Sequence, residues 1–258
     1  MRRISPPVLA PLIAMLVLVA CQGQPANLLT DPNQILAAAA TNAASATSAH
    51  VDLTASGTVS LDPLGTGAGS PVDIGGTTLN ADLDLQNAKT RATFSSPNLL
   101  NLAGELIVAD AIYLKSTLTG PKYHSMPLTG TSEPPLKGLT DLLARTDLQP
   151  TKGADAPCAG GTCYTLTLRV DASDLGALGG AAAALPSALP IPVPIPDVSD
   201  ASVDLTLHVD QATNRLSDAS ASIDLGDTGK VTLQGTFTRW NEPVTISAPP
   251  ADQVEPAG

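Results

Sequence analysis

The chain has 258 residues, with 24 acidic against 13 basic side chains and a formal net charge of −11 at pH 7. Such an acidic chain, lacking any basic run, offers no electrostatic footprint to nucleic acid or to anionic head groups. One tryptophan, three tyrosines and two phenylalanines are too few to build stacking platforms for bases or sugars.

Arg2 and Arg3 precede an apolar run from about Val8 to Ala20, which ends in Leu18-Val19-Ala20-Cys21. The run is too short to cross a bilayer as a helix, and Pro11 weakens it. A basic start, an apolar middle and a small residue before cysteine read as a lipoprotein signal over residues 1–20. Cleavage before Cys21 would leave its thiol to carry a diacylglycerol anchor. An ordinary secretory signal with an incidental cysteine is the competing reading. The mature chain is expected outside the cytoplasm on the outer face of the cell membrane, or in an outer membrane where the envelope has one.

Residues 21–30 form a short polar tether. Asp31-Pro32-Asn33-Gln34 then supplies an N-cap acceptor, a proline at the first helical position and a capping-box glutamine. Ile35, Leu36, Ala39, Ala43 and Ala46 share a stripe, so a helix to about Ala46 is predicted.

Beyond it the period becomes two. Val51–Leu61, Thr78–Leu85, Ala92 with Phe94, Tyr164–Val170, Val203–Val209, Ala219–Leu225 and Val231–Phe237 alternate apolar or small residues with polar ones. Asp210–Asn214 and Gly226–Gly229 mark turns between them. Clean alternation of this kind belongs to antiparallel sheet with one face in water and one on an apolar interior. The predicted class is α+β, a large curved antiparallel sheet of roughly eight to eleven strands with a few helices. A second short helix is expected near Pro134–Ala144, where Leu136, Leu139 and Leu143 share a face. One domain is expected over 31–247, followed by a flexible tail over 248–258.

Two stretches break the rhythm. Residues 62–76 are a Gly/Pro loop without a phosphate-cradling signature. Residues 175–196 are apolar and end in Pro190, Pro192, Pro194 and Pro196 at alternate positions, which favours polyproline geometry. A low-complexity linker and a mobile wall over an apolar opening are the two readings of that insert. With Cys21 lipidated, Cys158 and Cys163 remain, separated by Ala-Gly-Gly-Thr. In an oxidising compartment they are expected to form a disulfide pinning a tight turn.

Catalytic and metal signatures are lacking. His50, His124 (in a Lys122-Tyr123-His124 loop) and His208 have no spaced partner of metal-ligand type, so solvated surface histidine is expected. Asp171, Asp174, Asp197, Asp200 and Asp204 read as turn-forming and solubilising acids. No enzymatic site, cofactor or metal is expected. The aliphatic, aromatic-poor sheet face is the remaining candidate, because it would pack poorly unless helices or a ligand filled its concavity.

The lipobox, the Ala-rich helix, Asp110-Ala-Ile-Tyr113-Leu-Lys-Ser with Leu-Thr-Gly-Pro-Lys-Tyr123, Tyr164–Asp171, and Thr238–Pro250 together resemble the LppX/LprG family of actinobacterial lipoproteins. The resemblance covers roughly 31–247 and is diffuse, and the 175–196 insert and the cysteine turn have no counterpart in it. It implies a LolA/LolB-like half-barrel with helices on the concave side, holding acylated lipid or lipoglycan and moving it through the envelope, with a transporter as partner. Inward strand positions Leu53, Val59, Leu83, Leu85, Leu166, Leu168, Leu205 and Leu207 are the candidate lining residues. The alternative is a structural or adhesive envelope lipoprotein with a filled core and no lipid ligand.

Overall fold

The computed structural model describes residues 28–61, 70–128, 133–171 and 201–255. Cys21, the 1–20 signal and the 175–196 insert lie outside the described residues.

Alternating apolar residues build one continuous antiparallel sheet. Its strands are β1 (Ser48–Leu61), β2 (Ser70–Asp73), β3 (Thr77–Asp84), β4 (Lys89–Ser96), β5 (Leu102–Val108), β6 (Ile112–Ser116) and β7 (Gly120–Met126). The second half comprises β8 (Thr151–Lys152), β9 (Ala156–Cys158), β10 (Gly161–Asp171), β11 (Ser202–Asp210), β12 (Leu216–Asp224) and β13 (Gly229–Thr238). The order is β7-β6-β5-β4-β3-β1-β13-β12-β11-β10-β8, with β2 on β1 and β9 on β10. Most consecutive strands are neighbours, but β3 pairs with β1 and not with β2, β8 lies at the far edge from β7 and pairs with β10, and the longest-range pairing is at the centre. There the first strand pairs with the last, Val51 opposite Phe237. Among the described residues the curved sheet does not close into a barrel.

Helix α1 (Pro32–Ala44) begins where the sequence demands, Asp31 accepting the Asn33 N–H at 2.8 Å. Its apolar stripe buries Ile35, Leu36, Ala39, Ala40 and Ala43. Helix α2 (Lys137–Leu143) packs beside it and buries Leu142 and Leu143. Both helices lie on the concave face and share a core with β10, β11, β1 and β3. Trp240 closes one margin, stacked on Phe237 at 6.0 Å and donating its indole N–H to the Leu216 carbonyl at 3.0 Å.

A smaller cluster of Ile107, Tyr113, Tyr123 and Ile246 forms on the opposite face, together with Val244 and Val254. The chain after β13 supplies the last three. It runs behind the sheet to β7, where the Glu255 N–H donates to the Tyr123 carbonyl at 2.9 Å.

Among the described residues there are thirteen strands, more than the expected eight to eleven. Part of the expected 62–76 loop is strand β2, and the expected Lys122-Tyr123-His124 loop lies inside β7. Pro71 and Pro121 make these segments look like turns. Both sit on strands with a free edge, where a missing N–H leaves no ladder bond broken. The Cys158–Cys163 disulfide forms, with Cα atoms 5.9 Å apart, and clamps the β9–β10 hairpin. Gly160 is needed there because the Asp210 carboxylate occupies the place of a Cβ. Asp210 in turn organises the β11–β12 turn, accepting from the N–H groups of Ala212 at 3.1 Å and Thr213 at 2.8 Å.

Candidate functional site

Register places a row of apolar or small residues straight across the concave face. Leu166 pairs with Leu207, Leu207 with Ala219, Ala219 with Gly235, and Gly235 with Leu53. Leu53 continues to Leu79, Phe94 and Gly104. A second row runs Leu168, Leu205, Ala221, Leu233 and Ala55.

Burial changes along these rows. Leu166 and Leu207 are fully buried beside the helices, whereas Ala219, Leu53, Leu79 and Phe94 are half-buried. In the second row Ala221 and Leu233 keep exposed surface while Leu168 and Leu205 do not. The helices therefore cover one side of the concavity and leave an aliphatic strip across β12, β13, β1, β3 and β4. Small residues give the strip its depth. At Gly104 a Cβ would strike the Lys115 carbonyl and meet the Phe94 ring at 2.6 Å, so the glycine lets both approach the strand closely.

Of the eight candidate lining residues, Leu83, Leu85, Leu166, Leu168, Leu205 and Leu207 are buried in the main core. Leu53 and Val59 are half-buried. Leu79, Phe94 and Leu233 share the strip without having been singled out. Their signal was cross-strand register, which a single strand's alternation does not contain.

Two open depressions occur, one of them at the Gly104 end of the first row. One of about 450 Å³ is lined by Ala103, Gly104, Lys115, Ser116, Thr117, Gly120 and Pro121. The other, of about 250 Å³, is lined by Leu28, Gly160, Thr162, Asp210, Gln211 and Ala212. None of the eight candidate residues lines either.

Each histidine faces a carboxylate, and only His50 departs from the solvated expectation by being largely buried. His50 Nδ1 lies 2.7 Å from Asp82 and its Nε2 lies 3.4 Å from Asp52, with the side chain only 12% exposed. His208 pairs across the β11–β12 ladder with Asp218 at 2.5 Å, and His124 reaches Glu255 at 3.6 Å. These contacts tie neighbouring segments together. Cys158, Cys163 and Asp210 cluster, but the disulfide removes both thiolates and with them a metal site.

A denser polar group sits on the outer face at β4–β7. Arg91 Nε donates to Glu105 at 2.9 Å, and Lys115 Nζ lies 3.4 Å from the same carboxylate and 4.5 Å from the centre of the Tyr123 ring. Burial pushes Glu105 upward, but Tyr123, Arg91 and Lys115 together hold it below the ordinary carboxylate value. Burial and the bond to Glu105 raise the Tyr123 phenol.

No protein-family model matches the sequence, and no curated protein matches it. Solved structures do. LprF from Mycobacterium bovis has a TM-score of 0.56 at 19% identity, covering 86% of this chain and 98% of that one. The Mycobacterium tuberculosis lipoprotein LppX has a TM-score of 0.52 at 20% identity, covering 84% of this chain and all 100% of that one. At these identities the likeness is one of fold, and it extends over the whole architecture expected from the LppX/LprG resemblance.

Proposed function

We propose that this chain is an exported lipoprotein, anchored through Cys21, that binds acylated lipid or lipoglycan on its concave face and carries it in the cell envelope. The observation that supports the reading best is the half-open aliphatic strip of Leu53, Leu79, Phe94, Ala221 and Leu233. An acyl chain laid there gains about 0.8 kcal/mol for each methylene removed from water. The six buried leucines act as its floor, and Leu53 and Val59 meet the ligand. In this reading the protein is a carrier and not an enzyme. Among the described residues no helix is long and apolar enough to cross a membrane. Attachment in this reading is the anchor's task, and an envelope transporter is the partner that loads or unloads the protein.

Native mass spectrometry of protein purified from a lipid-rich host tests the proposal, together with titration of a fluorescent fatty acid. Co-purified lipid and saturable binding are expected. Bare protein with no uptake would overturn it. The complete burial of Leu166 and Leu207 favours a second reading, a structural envelope module whose core is already filled. That reading predicts the bare-protein result.

A further inference from the structure

Two leucines stand out at one end of the sheet. Leu100 is 72% exposed and Leu118 is 44% exposed. They belong to the β4–β5 and β6–β7 turns, which lie at the same end because Ser96 pairs with Leu102 and Ser116 with Gly120. The turns are stitched together. Thr117 N–H donates to the Ala103 carbonyl at 2.8 Å, and the Thr117 hydroxyl donates to the Asn101 carbonyl at 3.2 Å. Each leucine adjoins this stitch, so the pair forms a fixed two-pronged tip.

The backbone holds Leu100 outward in an unusual way. Its φ is +55°, in the left-handed region that glycine and asparagine tolerate and leucine rarely adopts. The β4–β5 turn requires positive φ at both Leu100 and Asn101, and a bulky exposed leucine is a costlier choice there than glycine or asparagine. The two turns themselves also lack charge, which begins again at Glu105, Lys115 and Lys122. Residues 95–104 and 116–121 contain no charged side chain, in a protein of net charge −11. Asp73 reaches this rim, but its carboxylate accepts from Gly75 N–H at 2.7 Å and Asn98 Nδ2 at 3.0 Å. The aliphatic strip arrives at the same rim through Phe94, which pairs with Gly104.

We infer that Leu100 and Leu118 insert into the interfacial region of a lipid bilayer, setting the open end of the strip against the membrane from which lipid is taken or to which it is delivered. Magnitude decides between a bilayer and a protein partner. A stable protein interface buries roughly 1,200 Å² or more, far beyond two leucine tips. Partitioning into a bilayer needs no complementary surface, only apolar area free of charge. The inference rests on the lipid-binding reading for its role, and on the rim geometry for its existence.

Every described helix and strand lies beyond residue 28, so the chain from Gln22 onward, free of the anchor, carries the whole described fold. In phosphatidylcholine vesicles with brominated acyl chains, Leu100→Trp emission should be quenched above the Trp240 background. Ala212→Trp, at the opposite end, should not be. Leu100→Gly and Leu118→Ser should each weaken vesicle partitioning roughly tenfold. Leu100→Gly should leave the melting temperature unchanged or raised, because glycine suits that backbone. An unquenched Trp at position 100, partitioning unaffected by either substitution, or a Leu100→Gly variant that melts lower would overturn the inference. Binding of a fluorescent fatty acid is scored separately. Its failure with the tip still inserting would sink the carrier reading and leave the tip assignment standing.

Discussion

Tyr123 donates its phenolic hydroxyl to Glu105 Oε2 at 2.6 Å, reaching from edge strand β7 over β6 to β5. With Arg91 on the other carboxylate oxygen and Lys115 between them, three neighbouring strands and β4 are fastened on the face away from the core. The edge of the sheet thus depends on a charge.

That dependence gives a pH signature. Glu105 is held below its ordinary value, so its contribution is present above the unfolded carboxylate pKa and is lost as pH falls through the folded one. Glu105→Gln should cost about 1–2 kcal/mol at neutral pH, discounted for the exposure of Arg91. Urea unfolding of both proteins across the acid range checks this. The gap between them should shrink once pH drops below about 4.

Core and strip should respond differently to truncation. Leu166→Ala removes a fully buried side chain and should cost about 3 kcal/mol of stability. Half-buried Leu53→Ala should cost about 1 kcal/mol or less while weakening uptake of an acyl probe. Thermal melts paired with probe titration separate the two effects. Equal loss of stability at both positions would contradict the division between floor and strip.

Replacing Cys158 and Cys163 by alanine should destabilise the fold by about 2 kcal/mol, the low end for a disulfide, because the loop it closes is short. Denaturant midpoints of the wild type with and without reductant should reproduce the difference. Cys163 is wholly buried and Cys158 half-buried, so reduction should begin by attack at the Cys158 sulfur.

At the centre of the sheet, Gly57 and Gly229 press on each other's strands. A Cβ on Gly57 would strike the Lys230 carbonyl, and one on Gly229 would strike that of Thr58. Gly57 has φ +122° and Gly229 has φ +138°. Gly57→Ala should therefore cost about 3 kcal/mol. Gly226→Ala, also at positive φ but with nothing within 4 Å of its Cβ, should cost about 1 kcal/mol. Calorimetry on the pair reads strain against collision.

Much of this architecture was legible in the residues. Period-two alternation located β1, β3, β10, β11, β12 and β13, and the Asp31-Pro32 cap located α1, because those signals are local. Strands β5 to β7 show no clean alternation, since both of their faces are covered: Leu106 packs on the main core and its neighbour Ile107 on the Tyr123 cluster. The strip was harder to read. Alternation named Leu53 and Leu166 alike, yet only the position of the helices makes one half-open and the other sealed. The apolar rim at Leu100 and Leu118 carries no signal in the alternation, and only exposure and backbone conformation mark it.

Pairing β1 with β13 has a consequence for how the molecule comes into being. The middle seam, Val51 against Phe237, joins segments made almost at the beginning and almost at the end of synthesis. Contacts so remote in sequence form late and slowly. A chain threaded amino-terminus first through a narrow pore would lack its keystone until nearly all of it had emerged. It would therefore stay pliable during passage and lock only on arrival.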